Sequence, residues 1–122
     1  MAGGKFKMKA EKNENLNAED SFAERVYAAV RRIPKGKVAS YALVAFSAGS
    51  PQACRAAGNA LHKNPYFGEV PCHRVVASDG SLAGKFAFGG SEVQQKMLEA
   101  EGVFLNADGK VDMKKYSLNK PF

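Results

Sequence analysis

The chain has 122 residues, of which 45% are hydrophobic and 25% charged, and a formal net charge of +6. That length holds one domain with a single modest core, and no apolar run approaches the ~20 residues that a membrane helix needs. Two cysteines at unrelated spacing give neither a disulfide framework nor a zinc ribbon; they suit a reducing compartment, so the expected location is cytoplasmic, with nucleoid association in a bacterium or archaeon and a nuclear site in a eukaryote.

Residues 1–17 are polar, with Lys, Glu and Asn alternating after Gly3-Gly4, and are expected to form a disordered tail. The lysine-rich start has no apolar segment behind it, so no secretory signal is expected there. The folded domain is expected over residues 18–122. Ser21-Phe22-Ala23-Glu24 has the form of a capping box and starts a first helix near Asp20, with Asn17 as the alternative cap one turn earlier. Phe22, Val26, Val30 and Ile33 recur at helical spacing and face the core, and Pro34-Lys35-Gly36 ends the helix. After the extended Val38-Ala39, Ser40 caps a second helix that turns Leu43, Val44 and Phe46 inward. Gly49-Ser50-Pro51 supplies a turn, a cap and a first-turn proline, predicting a third helix from Pro51 to about His62. Two short helices joined by a glycine turn make a helix-turn-helix pattern. The third helix is rich in small residues (Ala53, Ala56, Ala57, Gly58, Ala60), with Arg55 among them. Small side chains let a backbone approach closely to another helix or to a nucleic-acid groove, and composition leaves both open.

In Val70-Pro71-Cys72-His73-Arg74-Val75-Val76, one of two cysteines stands beside one of two histidines. A thiolate is the strongest side-chain nucleophile, and imidazole is the usual group to take its proton. Pro71 fixes the backbone before Cys72, and Arg74-Val75-Val76 reads as a short strand. Strand neighbours point to opposite faces, so direct contact of Cys72 with His73 requires a bend at Pro71. The plainer alternative is a buried structural cysteine beside a hydrogen-bonded histidine. Asp79-Gly80 predicts a turn and Leu82–Gly90 a loop. Ser91 is expected to cap the last helix, with Gln94 completing a second capping box. Val93, Met97 and Leu98 face inward and Gly102 stops the helix. Val103–Val111, turning at Asp108-Gly109, is expected to form a terminal hairpin. The fold class is therefore mainly α with short β segments, a winged-helix-like domain containing a helix-turn-helix. Between Arg25 and Lys85 nine basic residues meet only two acids, Glu69 and Asp79. This places the positive charge on the segment that holds the motifs and suggests a polyanionic partner, nucleic acid first.

Pro71-Cys72-His73-Arg74-Val75 resembles the active-site motif of the O6-alkylguanine-DNA alkyltransferases, the suicide DNA-repair proteins. The family order continues in Gly36-Lys37-Val38-Ala39-Ser40-Tyr41, Arg55-Ala56-Ala57-Gly58-Asn59-Ala60, Asn64-Pro65, Phe88-Gly89-Gly90 and Glu101-Gly102. The resemblance thus covers roughly residues 20 to 105. It implies that Cys72 takes an alkyl group from O6 of guanine irreversibly, with no cofactor and no metal. His73 takes the thiol proton through a water, Glu101 orients His73, and Asn64 braces the turn. The resemblance further implies that the third helix enters the minor groove of double-stranded DNA, with Arg55 replacing an extruded base. Tyr41 then donates to the guanine ring, the carbonyls of Cys72 and Val75 accept from its amino group, and the amide of Phe88 donates to the alkylated oxygen. Ser40, Gly58 and Arg74 fall in the same set of DNA- and base-binding positions.

Two departures from the family pattern stand out. Ala87-Phe88 occupies places where the family has aromatic or hydroxyl residues, which leaves Phe86 or Phe88 as the pocket wall. The chain is also expected to lack the N-terminal domain of most full-length members. That is the format of the alkyltransferase-like proteins, which bind alkylated bases without repairing them and carry tryptophan or another residue in place of the cysteine. The first expectation is a monomeric, single-turnover DNA alkyltransferase. The second is a lesion-binding protein that marks O6-alkylguanine for excision-repair proteins. A helix-turn-helix regulator without chemistry has no use for the Pro-Cys-His-Arg run. A zinc site from Cys54, His62, Cys72 and His73 matches no ligand pattern, and a cysteine peptidase lacks its glycine-rich oxyanion motif here.

Overall fold

The structure, a computed structural model, describes residues 18–66, 68–83 and 89–122. The expected tail, residues 1–17, lies outside the described residues. The first helix, α1 (Ala18–Val30), is already running at Ala18, so Ser21 sits inside it and not at its cap. Phe22, Val26, Val30 and Ile33 are buried as their spacing predicts, joined by Tyr27. A two-residue strand, β1 (Ala39–Ser40), leads into α2 (Tyr41–Ser47), and Ser40 caps that helix by accepting from the Leu43 amide at 3.1 Å.

Helix α2 closes on Ala48 and Gly49, with Gly49 at φ +88°. The amides of Gly49 and Ser50 donate back to the carbonyls of Phe46 and Ala45. This is a Schellman ending, and it needs the left-handed residue that glycine supplies without strain. The third helix, α3 (Cys54–His62), starts later than the sequence predicts. Pro51 and Gln52 stay in the turn, the Ala53 amide donates to the Ser50 carbonyl, and Ala53 takes the N-cap place. Phe46 also departs from expectation and is 52% exposed. On so short a helix the inward stripe is taken by Val44, Ala45 and Ala48, and a residue two places from Val44 points about 200° away from it.

Beyond α3 the chain makes a short 3₁₀ turn over Cys72–Arg74 and enters β2 (Val75–Val76). Strand β2 pairs in parallel with β1, Ala39 opposite Val75 and Ser40 opposite Val76. Parallel neighbours need a long crossover, and here α2 and α3 are that crossover. The pairing therefore sets the helix-turn-helix directly over the strand that follows Cys72. The main core joins α1, α2 and α3 to this strand through Val26, Val44, Ala57, Leu61 and Val75. Tyr27 ties α1 to α3 by donating its hydroxyl to the Ala60 carbonyl at 2.8 Å.

A second, smaller cluster of Val38, Val76, Leu98, Val103 and Val111 lies on the other side of the strand pair. It is built by α4 (Gly90–Ala100), a turn closed by one antiparallel bridge between Leu105 and Val111, and a one-turn helix, α5 (Met113–Tyr116), capped by Asp112. The expected hairpin is thus reduced to that single bridge, and α5 follows it beyond the expected elements. Gly80 supports the turn after β2: its φ is +92°, its carbonyl accepts from the Val111 amide, and a Cβ there would collide with the Val111 backbone.

Candidate active site and nucleic-acid interface

Cys72 and His73 do not alternate as strand residues. The Cys72 amide donates to the Val70 carbonyl at 2.7 Å and the Arg74 amide to the Pro71 carbonyl at 2.9 Å, so the chain is coiled at this point. The strand begins only at Val75. The fixed φ of Pro71, at −78°, starts that coil. In a 3₁₀ turn successive residues are about 120° apart, not 180°. Both side chains can therefore be buried, and each is 6% exposed.

Asn64 lies buried just past α3. Its amide nitrogen donates to the Val70 carbonyl at 3.3 Å, and its oxygen accepts from the Tyr66 amide at 2.8 Å. It thereby joins the exit of α3 to the residue before Pro71. Burial pushes the Cys72 thiol up from its ordinary value, and a hydrogen bond with Asn64 offsets only part of that rise. At neutral pH the group is a thiol, and any chemistry it performs needs a proton acceptor.

His73 turns Nε2 to Glu101 Oε2 at 2.8 Å. Burial lowers its pKa, and Glu101 recovers part of the loss. Its imidazole is neutral at neutral pH, the form that accepts a proton. Glu101, at the C-terminal cap of α4, is held from the other side by Arg74. Arg74 Nε donates to Oε1 at 2.9 Å and Nη2 to Oε2 at 2.8 Å, a bidentate fork, while Nη1 donates to the Ile33 carbonyl at 2.7 Å. Arg74, expected among the base-binding residues, thus faces inward and supports Glu101. Burial works to raise the Glu101 carboxyl, but hydrogen bonds and charge from Arg74 and His73 outweigh it and hold it at about 2.

A depressed carboxyl contributes stability that is fully present above its unfolded pKa and is lost as pH falls through the folded one. Glu101→Gln should therefore melt below the parent at neutral pH. The gap in Tm should close as pH drops from the ordinary 4.5 toward about 2. Melting curves of the two proteins across that range check it; a gap that stays constant would mean Glu101 is not charged in the fold.

Tyr41, the first residue of α2, is half-buried with its ring against Gly58. Burial raises its hydroxyl pKa, and the charge of a Cys72 thiolate adds to the rise. A Cβ at Gly58 would meet only the Tyr41 ring, at 3.8 Å, an ordinary contact. Packing inside the described fold therefore does not demand glycine at 58. Helix α3 buries Ala57, Ala60 and Leu61 and exposes Arg55, Ala56 and Asn59. Small residues thus serve both sides: Ala57 and Ala60 pack inward, while Ala56 lies open beside Arg55. The Ser40 oxygen is engaged in capping α2. Phe88 and Phe86 lie outside the described residues.

Sequence reasoning missed Gln94. Its place three residues after Ser91 predicts a capping partner, but Gly89 is the N-cap of α4, and Gln94 is fully buried. The signal was present: Gln94 stands one turn before Leu98, on the stripe that faces the core.

A helix-turn-helix laid across a parallel strand pair, with a buried cysteine in the turn beneath it, defines the alkyltransferase type of DNA-binding domain. Known structures of that type superpose on this chain. Schizosaccharomyces pombe Atl1, in complex with damaged DNA containing O6-carboxymethylguanine, matches with a TM-score of 0.71 and 33% identity, over 82% of this chain and 96% of that one. Mycobacterium tuberculosis OGT in complex with DNA matches with a TM-score of 0.62 and 40% identity, over 66% of this chain and 48% of that one.

The family model for the 6-O-methylguanine DNA methyltransferase, DNA binding domain, matches residues 21–103, and the chain belongs to this family. An Escherichia coli DNA base-flipping protein is 38% identical over 91% of this chain and 84% of its own length. The methylated-DNA–protein-cysteine methyltransferase of Rattus norvegicus is 40% identical over 70% of this chain, which spans 41% of that protein. Among the described residues no helix is long and apolar enough to cross a membrane.

Proposed function

We propose that this protein extrudes O6-alkylguanine from double-stranded DNA and transfers the alkyl group to its own Cys72. The observation that carries this reading is the retained cysteine on its braced turn, with Asn64 on one side and the His73–Glu101–Arg74 chain on the other. In the transfer the Cys72 proton passes through a water to the free ring nitrogen of His73. The thiolate attacks the alkyl carbon and forms a C–S bond. The carbon–O6 bond breaks with its electron pair left on guanine, and Tyr41 offers the ring a hydrogen bond. The repaired base takes up a proton, and the S-alkyl cysteine is not regenerated. The target atom is hidden inside a duplex, so the base must leave the stack. The carbonyls of Cys72 and Val75 then accept from its amino group. Intact mass after incubation with a duplex containing O6-methylguanine tests the reading: one added methyl on Cys72 supports it, and an unmodified chain overturns it.

One observation favours a second reading, lesion binding without transfer. The chain superposes on Atl1 with a TM-score of 0.71 and on OGT with 0.62. In that reading the complex persists and serves as a signal for excision repair.

Under either reading the exposed Arg55 of α3 fills the space of the extruded base. A planar guanidinium stacks and hydrogen-bonds where a lysine ammonium cannot. Extrusion costs a few kcal/mol, and losing part of the compensation should slow transfer from duplex O6-methylguanine roughly tenfold in Arg55→Lys. Affinity for undamaged duplex should hold, and so should transfer from the free base, which needs no extrusion. Equal losses on duplex and free base would reassign Arg55 to the fold or the pocket.

A further inference from the structure

The turn that holds Cys72 is fastened from behind by one buried amide. Gln94 Nε2 donates to the His73 carbonyl and to the Val75 carbonyl, both at 3.1 Å, and Gln94 Oε1 accepts from the Ala83 amide at 2.9 Å. The side chain is 0% exposed, so these three bonds satisfy it with no help from solvent. Two partners are acceptors and one is a donor, so only one orientation of the amide fits. Flipped, the oxygen would face two carbonyl oxygens, and the nitrogen would face an N–H.

The two carbonyls belong to residues two apart, one in the 3₁₀ turn and one at the start of β2. Gln94 therefore fixes the point where the turn becomes a strand, and with it the direction of the Val75 carbonyl. A carbonyl oxygen has two lone pairs. Gln94 takes one of those of Val75.

We propose that Gln94 is a positioning residue that sets the direction in which the Val75 carbonyl meets the amino group of the extruded base, and so selects guanine lesions. The inference rests on the base-binding reading given above. It predicts discrimination by the 2-amino group, the feature that separates O6-methylguanine from O6-methylhypoxanthine.

The test measures equilibrium affinity in the Cys72→Ala background, so that no transfer depletes the lesion. Three duplexes are compared, carrying O6-methylguanine, O6-methylhypoxanthine or no lesion. The parent should prefer the guanine lesion over its deaminated analogue by roughly tenfold, the worth of one hydrogen bond in a closed site. Gln94→Met removes all three bonds at similar volume. It should bring that ratio close to one by weakening the guanine lesion alone. Gln94→Lys still donates to both carbonyls, cannot accept from Ala83, and should keep the ratio. If Gln94→Met does not fold, Gln94→Glu decides by the same ratio, because it keeps the acceptor for Ala83 and loses both donors. Equal weakening of both lesions, or an unchanged ratio when the donors are removed, would overturn the proposal and leave Gln94 a structural residue. A parent that binds O6-methylguanine no better than undamaged duplex would overturn the base-binding reading, and the proposal with it.

Discussion

Cys72→Ala is expected to gain no methyl from duplex O6-methylguanine, while its affinity for that duplex stays close to the parent's. Only the sulfur is removed. Its own hydrogen bond with Asn64 goes with it, but the bonds that hold the turn stay: Asn64 holds the Val70 carbonyl, and Gln94 holds those of His73 and Val75. Deleting one buried atom costs about 1 kcal/mol, which leaves the fold intact. Intact mass measures the first half and an anisotropy titration the second. Methyl transfer that persists in Cys72→Ala would remove Cys72 as the acceptor. Cys54 supplies the control, because it is exposed at the start of α3 and touches none of this arrangement. Cys54→Ser should be methylated on Cys72 as the parent is.

Arg74→Ala should be strongly destabilising. The guanidinium makes three hydrogen bonds, two to Glu101 and one to the Ile33 carbonyl, and its side chain is only 16% exposed. Removing it strands a carboxylate that is 11% exposed, with His73 its one remaining side-chain partner among the described residues. Breaking one side of a buried pair costs about 3–5 kcal/mol, and the residual exposure here brings the expectation to about 3 kcal/mol. For a domain of this size that is a fall in Tm on the order of 10–20 °C. Glu101 should also titrate higher once its cation is gone, which loosens His73 and slows proton removal from Cys72. Transfer should therefore drop more than unfolding alone explains when the assay is run well below the new Tm. The pair of Lys110 and Asp79, at 3.2 Å but 41% and 58% exposed, offers the contrast. Water screens it, and Lys110→Ala should hardly move Tm. Similar losses in the two variants would mean that Arg74 and Glu101 are no better sheltered than a surface pair.

The sequence by itself determined the helices wherever a local signal was strong. The spacing of Phe22, Val26 and Val30 predicted the buried face of α1, Ser40 the cap of α2, and Gly49 its ending. It also marked Cys72 beside His73 as a nucleophile next to a base, and Arg55 as the projecting residue of a helix of small side chains; Glu101, Asn64 and Tyr41 came only from the resemblance to the alkyltransferases. Boundaries slipped where two local signals competed. Ser21 lies inside α1, and Ser50-Pro51 is a turn before α3, although each has the composition of a cap.

Tertiary structure alone decided which side chains meet. Arg74 lies next to His73 in sequence, yet its direction was settled by Ile33 and Glu101, 41 and 27 residues away. The turn expected before the strand is a 3₁₀ turn that also takes in Arg74, expected in the strand itself, and Asn64 and Gln94 tie this segment to the exit of α3 and to α4. Gln94 shows the limit most plainly. A glutamine three places after a serine has the pattern of a capping box, and nothing local distinguishes it from a buried amide. Its three partners lie 11, 19 and 21 residues away. A hydrogen bond at that separation exists only once the elements that carry its ends have packed.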